Sequence, residues 1–164
     1  MVLASLSARA SALVLAIGCL SQSAPAAARG AGRTGWTPME SWTLLKLYSG
    51  KTWRWKDGAA YFAPGGSFKA WSTSNHQRYE ASGAWEVRAD GVMCFIAPWQ
   101  AVPAKPDATR PPKAETCFSH EVRGNAIAQR KLPDGTWYFF RHAEPTKTDE
   151  IFKLQRGDHT RLQG

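Results

Sequence analysis

The sequence lacks any apolar run approaching the roughly 20 residues that a helix needs to cross a bilayer, which excludes a polytopic membrane protein. Cysteine is scarce, with three in 164 residues, and no two of them form the C-x-x-C pattern of redox and metal sites. Charged residues make up 21% of the chain, too few for a disordered solvating protein, and the hydrophobic fraction of 43% suits a globular one. The length predicts a single domain with tails.

Sequence motifs that commonly mark enzymes are also missing. There is no G-x-S-x-G nucleophile elbow, no H-x-H or H-E-x-x-H pattern, and no EF-hand, P-loop or dinucleotide-binding fingerprint. The four histidines lie in separate segments, at His76, His120, His142 and His159. His120 falls in a predicted strand between apolar neighbours, which indicates a structural histidine. We therefore predict no enzyme, no metal site and no cofactor, and the less favoured alternative is an enzyme with a cryptic site at His120.

The N-terminal residues have the composition of a bacterial secretory signal peptide. Arg9 precedes an apolar stretch over residues 12–20, and small residues follow up to an A-x-A pattern that ends at Ala28. We predict that residues 1–28 are removed and that the mature chain begins at Arg29, in the periplasm or outside the cell.

Cys19 offers an alternative fate for this leader. Residues 15–19 resemble the lipobox of bacterial lipoproteins, although Ala16 stands where leucine is usual. If Cys19 is lipidated, the protein is anchored to the cell envelope instead of being released.

The two cysteines that remain, Cys94 and Cys117, form an even pair in a chain predicted to be exported, and this predicts a disulfide. By chain entropy such a bridge is worth about 3 kcal/mol. Residues 98–112 hold five of the ten prolines in the sequence. We predict that residues 98–116 form a long loop whose flanks the bridge ties together.

The mature chain divides into a flexible lead over residues 29–36, a single helix-plus-β-barrel domain over 37–157 and a polar tail over 158–164. The domain opens with a predicted amphipathic helix, for which Thr37 supplies the cap, Pro38 the first helical position and Glu40 the rest of a capping box. Gly50 is predicted to end this helix as the residue after its C-cap.

After the helix, short apolar stretches alternate with turn residues, which predicts strands. The clearest stretch is Arg78–Arg88, where every second residue is apolar or small. Short turns favour antiparallel neighbours in a meander. We predict a mainly β fold, an antiparallel meander of about eight strands that forms a small barrel or curved sheet, with the one N-terminal helix over an open end or over the sheet. A sandwich is the alternative.

Several short motifs carry a resemblance to a known family. They are residues 47–53 (LYSGKTW), 83–87 (GAWEV), 91–95 (GVMCF) and 134–138 (DGTWY). With these motifs the chain resembles a family of small exported proteobacterial proteins called domain of unknown function 995. That resemblance implies no established activity and no site residues. The G-x-W motif at Gly83 is also similar to calycin-type barrels, that is lipocalins and small barrel protease inhibitors, which implies a barrel fold.

Tryptophan is the strongest functional signal, with eight residues in the chain. Trp85 and Trp137 lie inside regular predicted strands and are expected in the core. The others near strands could line a cavity or face for an apolar ligand or a sugar. We predict ligand or partner contacts at Trp53, Trp55, Trp71, Trp99 and His120.

These features predict a non-enzymatic periplasmic or secreted binding module for a small ligand, an envelope component or a partner protein. Interleaved aromatic and basic residues over 53–56 would suit nucleic acid, but export argues against that partner. The net charge of +8 suits anionic envelope surfaces instead, with peripheral or lipid-anchored membrane association and no transmembrane helix in the mature chain. The alternative is an inhibitor of an exported hydrolase, with residues 98–116 as its contact element.

Overall fold

A computed structural model describes residues 33–104, 109 and 111–161. Four predicted segments lie wholly or partly outside the described residues. They are the signal peptide with Cys19, the start of the flexible lead, part of the proline-rich segment and the end of the polar tail. No described helix has the length and apolar content needed to cross a membrane.

In the described part of the chain, eleven strands and one α-helix make up the fold. The helix is α1 (Ser41–Tyr48), and a short 3-10 helix spans Glu150–Lys153. The strands are β1 (Thr37–Pro38), β2 (Lys51–Trp55), β3 (Gly58–Phe62), β4 (Ser67–Ser74), β5 (Gln77–Arg88), β6 (Val92–Ala97), β7 (Trp99–Val102), β8 (Ala114–Arg123), β9 (Ala126–Lys131), β10 (Tyr138–Arg141) and β11 (Leu154–Arg156).

The strands belong to one antiparallel sheet with the order β10-β9-β8-β6-β5-β4-β3-β2-β11. Consecutive strands β2 to β6 pair in chain order, as short turns favour. The sheet curls into a half-barrel. The half-barrel is open because its two edge strands, β10 and β11, do not pair with each other in the described residues. The predicted mainly β, antiparallel fold with one helix is confirmed, in its curved-sheet form and not as a closed barrel.

The long strand β5 is shared by two partners on one side. Its second half pairs with β6, with Ala84 opposite Ile96, and its first half pairs with β7, with Ala81 opposite Trp99. The prediction of an uninterrupted loop over residues 98–116 is therefore wrong at both ends, since β7 and the start of β8 are strands. The physical reason is that β7 lies between Pro98 and Pro103 and contains no proline, so its amides can pair.

Helix α1 begins three residues later than the capping pattern predicts, at Ser41 instead of Pro38. Thr37 and Pro38 pair with β8, and the Met39 amide donates to the carbonyl oxygen of His120 at 3.0 Å. This extended pairing holds the backbone out of the helical conformation, and Glu40 makes no side-chain cap bond. The predicted stop at Gly50 is confirmed, because its φ of +71° is the left-handed conformation that glycine adopts readily.

The core lies on the concave face of the sheet, beneath α1. Leu44 and Tyr48 of the helix are fully buried and pack with aromatic and apolar side chains of the strands, among them Phe62, Trp85 and Phe140. Trp42 of the same helix is 63% exposed. The core position predicted for Trp85 is confirmed, whereas Trp137 is half-buried in a separate small cluster with Trp36.

Cys94 and Cys117 lie directly opposite each other on β6 and β8 and form a disulfide with an S–S distance of 2.10 Å. This confirms the predicted pairing. Their chain neighbours Phe95 and Phe118 point to the concave face, so the bridge lies on the convex face of the sheet.

Candidate functional site

The concave face carries a cavity of about 340 Å³ to which α1 contributes no lining residue among those described. Its walls are three tryptophans, Trp53, Trp55 and Trp99, and four phenylalanines, Phe62, Phe68, Phe95 and Phe118. Six strands supply these side chains. In volume and apolar character it falls within the range of small-molecule sites.

A row of alanines makes the room for these aromatic rings. Ala60 of β3, Ala70 of β4 and Ala81 of β5 are cross-strand neighbours, and each is at least 95% buried. Paired residues of an antiparallel sheet share one face, so the three methyl groups line up on the concave side. Because they are short, the space above them is left to bulkier side chains from neighbouring positions.

The floor of the cavity is a continuous set of aromatic contacts. Phe68 and Phe95 stack with ring centroids 4.4 Å apart and planes inclined by 7°. Phe118 follows at 6.5 Å from Phe95 and meets the edge of Trp53 at 5.5 Å. Such offset and edge-to-face pairs stabilise the rings beyond their burial.

Trp55 lies flat on the sheet because the residue opposite is glycine. A Cβ atom at Gly58 would come within 2.4 Å of the Cε2 and Cζ2 atoms of the Trp55 ring. No side chain tolerates that approach without a shift, so Gly58 sets the position of this wall.

Polar groups occur among the lining residues at Ser72, Thr116 and Lys131. Lys131 is the one charged residue of the described lining, and its side chain is exposed. Its backbone is held at the β9 end, since the Gly135 amide donates to the Lys131 carbonyl at 2.8 Å. The cavity thus combines an aromatic floor with hydroxyl and ammonium groups.

A buried polar network lies beneath α1, on the other side of Trp53 from the cavity. The Tyr48 hydroxyl donates to Nε2 of His120 at 2.9 Å, and the Gln129 amide nitrogen lies 2.8 Å from the same hydroxyl oxygen and 2.9 Å from Nε2. Tyr138 donates to Oε1 of Gln129. Nδ1 of His120 lies 3.3 Å from the Gly91 carbonyl oxygen, which assigns the ring proton to Nδ1.

Burial dominates the ionisation of this network. It lowers the pKa of His120 to about 4 and raises the pKa values of Tyr48 and Tyr138 above their usual range. His120 is therefore neutral at pH 7, with both ring nitrogens engaged. Because no lone pair of the ring is left for a substrate, the arrangement is suited to holding β8, β9 and α1 together.

The gap between the two sheet edges is bridged by the 3-10 helix. Nε1 of Trp53 donates to Oε2 of Glu150 at 3.1 Å, which links β2 to this helix. Next to it, buried Asp149 accepts hydrogen bonds from Thr146 and His142, including one of 2.6 Å from Nδ1 of His142. Burial would raise the pKa of Asp149, but these hydrogen bonds outweigh it and hold that pKa well below its usual range.

The structure brings together three of the five residues singled out from the sequence. Trp53, Trp55 and Trp99 line the cavity, whereas His120 lies in the polar network. Trp71 lies on the convex face, where the Arg78 guanidinium is 4.8 Å from its ring centroid.

The four phenylalanines and Lys131 were not predicted from the sequence. Period-two alternation was the available signal for Phe68, Phe95 and Phe118, because each shares a face with a buried residue of its strand. Alternation says which residues share a face, but not that these faces meet around one cavity. Lys131 ends its strand and gave no signal of this kind.

The fold and the cavity define a small, open antiparallel β half-barrel with one helix packed on its core. The sequence profile of the family described as "Protein of unknown function (DUF995)" matches residues 16–160, and the chain belongs to this family. No curated protein and no solved structure matches the chain. The further similarity to calycin-type barrels stays a prediction.

Proposed function

We propose that this protein is an exported, non-enzymatic binding module whose concave cavity holds a small apolar ligand. The observation that carries the proposal is the cavity of about 340 Å³ with seven aromatic residues in its lining. A tightly packed aromatic core leaves no such space. This cavity is in contact with solvent at Trp55 and Trp99, which are both half-buried. Burial of a ligand's apolar surface against these rings supplies the binding free energy.

The composition of the lining supports binding over turnover. None of the described lining residues is histidine, cysteine, aspartate or glutamate. Burial strongly shifts the pKa values of Tyr48, His120 and Tyr138, and all three belong to the network beyond Trp53. A general acid or base must lie within hydrogen-bonding reach of the reacting group, and the cavity offers none from these residues.

Export is supported by two features of the chain. The first 28 residues carry the charge, apolar stretch and A-x-A pattern of a signal peptide. The Cys94–Cys117 disulfide suits an oxidising compartment. Intact-mass measurement of protein recovered from the periplasm tests this part, with a mature N-terminus at Arg29 expected. A diacylated Cys19 would place the protein on a membrane instead, and an unprocessed cytoplasmic chain would contradict export.

Binding is tested with N-phenyl-1-naphthylamine, a neutral fluorescent probe, titrated into the purified protein. We expect saturable binding that Ser72→Phe weakens by at least about tenfold, because a benzyl group at this lining position occupies the cavity. Thr73→Phe is the matched control, since Thr73 is exposed, does not line the cavity and points to the convex face from the same strand.

Equal effects of the two variants, or no binding by the native protein, would contradict the proposed site. Native mass spectrometry completes the test. A co-purified small molecule should keep its mass on prolonged incubation, and its chemical conversion would argue for an enzyme instead.

A further inference from the structure

The charge distribution around the cavity identifies a class of ligand. Among the described lining residues Lys131 is the single charged side chain, and no carboxylate of the described chain lies within ion-pairing distance of its ammonium group. An ammonium beside an apolar cavity without an anionic partner favours an anion at that point.

The convex face offers a contrast. A depression of about 320 Å³ there is lined by three cationic residues, Lys69, Arg78 and Arg161. Lys69 pairs with Asp158 at 3.6 Å, and Arg78 pairs with Glu80 at 2.9 Å. The protein thus neutralises the lysine of the convex depression from within its own chain, but leaves Lys131 for another group.

The side chain of Lys131 starts next to the aromatic floor of the cavity. It lies directly opposite Phe118 in the β8–β9 pairing, and the Phe118 ring is part of the cavity floor. Cross-strand partners have Cβ atoms about 5 Å apart, so the aliphatic stem of the lysine starts beside the apolar floor. Because the residue is exposed, its charged end keeps contact with solvent.

Thr116 adds a hydroxyl donor on the same face. It lies two residues before Phe118 on β8, lines the cavity and is half-buried. A ligand seated on the floor at Phe118 can therefore present a polar head toward both Lys131 and Thr116. An anionic head gains charge-assisted hydrogen bonds there, whereas a cationic head meets like charge.

We propose that the cavity takes single-chain anionic amphiphiles, with the apolar chain among Trp53, Phe95 and Phe118 and a carboxylate or phosphate head on Lys131. This inference rests on the proposed binding function and names the ligand class of the same cavity. The shared chemistry is one acyl or alkyl chain with one oxyanion head, which a fatty acid or an alkyl phosphate supplies.

The experiment compares four ten-carbon probes by isothermal titration at pH 8, each below its micelle concentration. The probes are decanoate, decyl phosphate, decanol and decyltrimethylammonium. We expect the two anions to bind about tenfold tighter than decanol, as a charge-assisted hydrogen bond supplies, and the cation to bind weakest. Tighter binding of decanoate than of decyl phosphate supports the carboxylate source, and the reverse order supports the phosphate source.

Variants of the lysine locate the effect. Lys131→Met should reduce the ratio of anion affinity to decanol affinity from about ten to about one, and Lys131→Arg should keep that ratio. Lys147→Met is the matched control because Lys147 is an exposed lysine outside the cavity lining, and its loss should leave all four affinities unchanged.

The outcomes separate this inference from the proposed function. If decanol binds the native protein as tightly as the anions, or if Lys131→Met keeps the anion preference, the ligand class is wrong although the cavity still binds apolar molecules. If neither decanol nor the neutral fluorescent probe binds, the proposed function itself fails.

Discussion

Trp53 and Trp99 stand at the two ends of a single row of cross-strand neighbours. Trp53 pairs with Ala60, and Ala81 pairs with Trp99, with Ala70 between the two alanines. The row crosses five strands of a curved sheet, so the two indoles lie on the same concave face, on either side of three methyl groups. Residues 46 positions apart in the sequence thereby form opposite walls of one cavity.

Removing one wall should weaken binding more than it weakens the fold. We expect Trp99→Ala to reduce affinity for N-phenyl-1-naphthylamine about tenfold, because one aromatic contact surface is lost. Probe titration measures this. Trp71→Ala is the matched control on the convex face, and an equal loss of affinity in that variant would contradict the location of the site.

Gly58→Ala should move the Trp55 wall without deleting an aromatic residue. The new methyl group would lie 2.4 Å from ring atoms of Trp55, so the indole must turn away from the sheet. We expect a red-shifted tryptophan emission and weaker probe binding. Gly65→Ala is the control, because a Cβ atom at Gly65 meets nothing within 4 Å and its φ is not positive. Unchanged emission in Gly58→Ala would contradict the tight packing.

The hydrogen bond between Trp53 and Glu150 should stabilise the fold at the gap between the two sheet edges. Glu150→Ala leaves the Trp53 N–H without its acceptor, and we expect the free energy of unfolding in urea to fall by about 1 kcal/mol. Glu150→Gln retains an acceptor oxygen and should lose less. If both variants unfold at the urea midpoint of the native protein, this hydrogen bond contributes nothing.

Acid should destabilise the protein through His120. Its pKa is about 4 in the native state against 6.5 unfolded, so between these values the unfolded state binds the extra proton. The free energy of unfolding should therefore decrease as pH falls from about 6.5 to about 4, by up to about 3 kcal/mol, and this group adds no further loss below that range. Urea unfolding at a series of pH values measures it.

The variant His120→Gln keeps hydrogen-bonding groups but cannot take up a proton, so it should lack this acid loss. His76→Gln, in an exposed turn, should retain it. Asp149 does not confuse the window, because its pKa is lowered and its contribution is lost only as pH falls below about 3.8. An unchanged pH profile in His120→Gln would exclude His120 as the source.

The disulfide should stabilise the fold without taking part in redox chemistry. Replacing Cys94 and Cys117 by alanine releases a loop with a sequence separation of 23 residues, and we expect a loss of about 3 kcal/mol by chain entropy. Thermal unfolding of the native protein with and without a reductant provides the comparison, since the reduced protein should resemble the double variant. A melting temperature that does not change would show that the bridge contributes little.

Local patterns predicted the elements that depend on local physics. The alternation over Arg78–Arg88 identified the buried face of β5, and Gly50 ended α1 because a left-handed residue follows the helix. The helix start was predicted too early. The predicted capping residues, Thr37 and Pro38, pair instead with β8, more than eighty residues away in the sequence. No local pattern predicts a partner at that distance.

The candidate site followed from the sequence only in part. Tryptophan content indicated an aromatic surface, and Trp53 and Trp55 share a face by alternation alone. Trp99 is placed in the cavity because β7 pairs with β5, next to β6. The Phe95 ring stacks on Phe68 because the sheet is curved. Neither relation has a period in the sequence.

The sequence by itself determined the class of fold, the disulfide partners and the aromatic character of the domain, because propensity, alternation and composition act between near neighbours. The tertiary structure alone decided that the barrel stays open, that His120 is sealed beneath Tyr48 and that Lys131 lies at an aromatic cavity. Register, curvature and burial set these features, and they arise from contacts between residues that are distant in the chain.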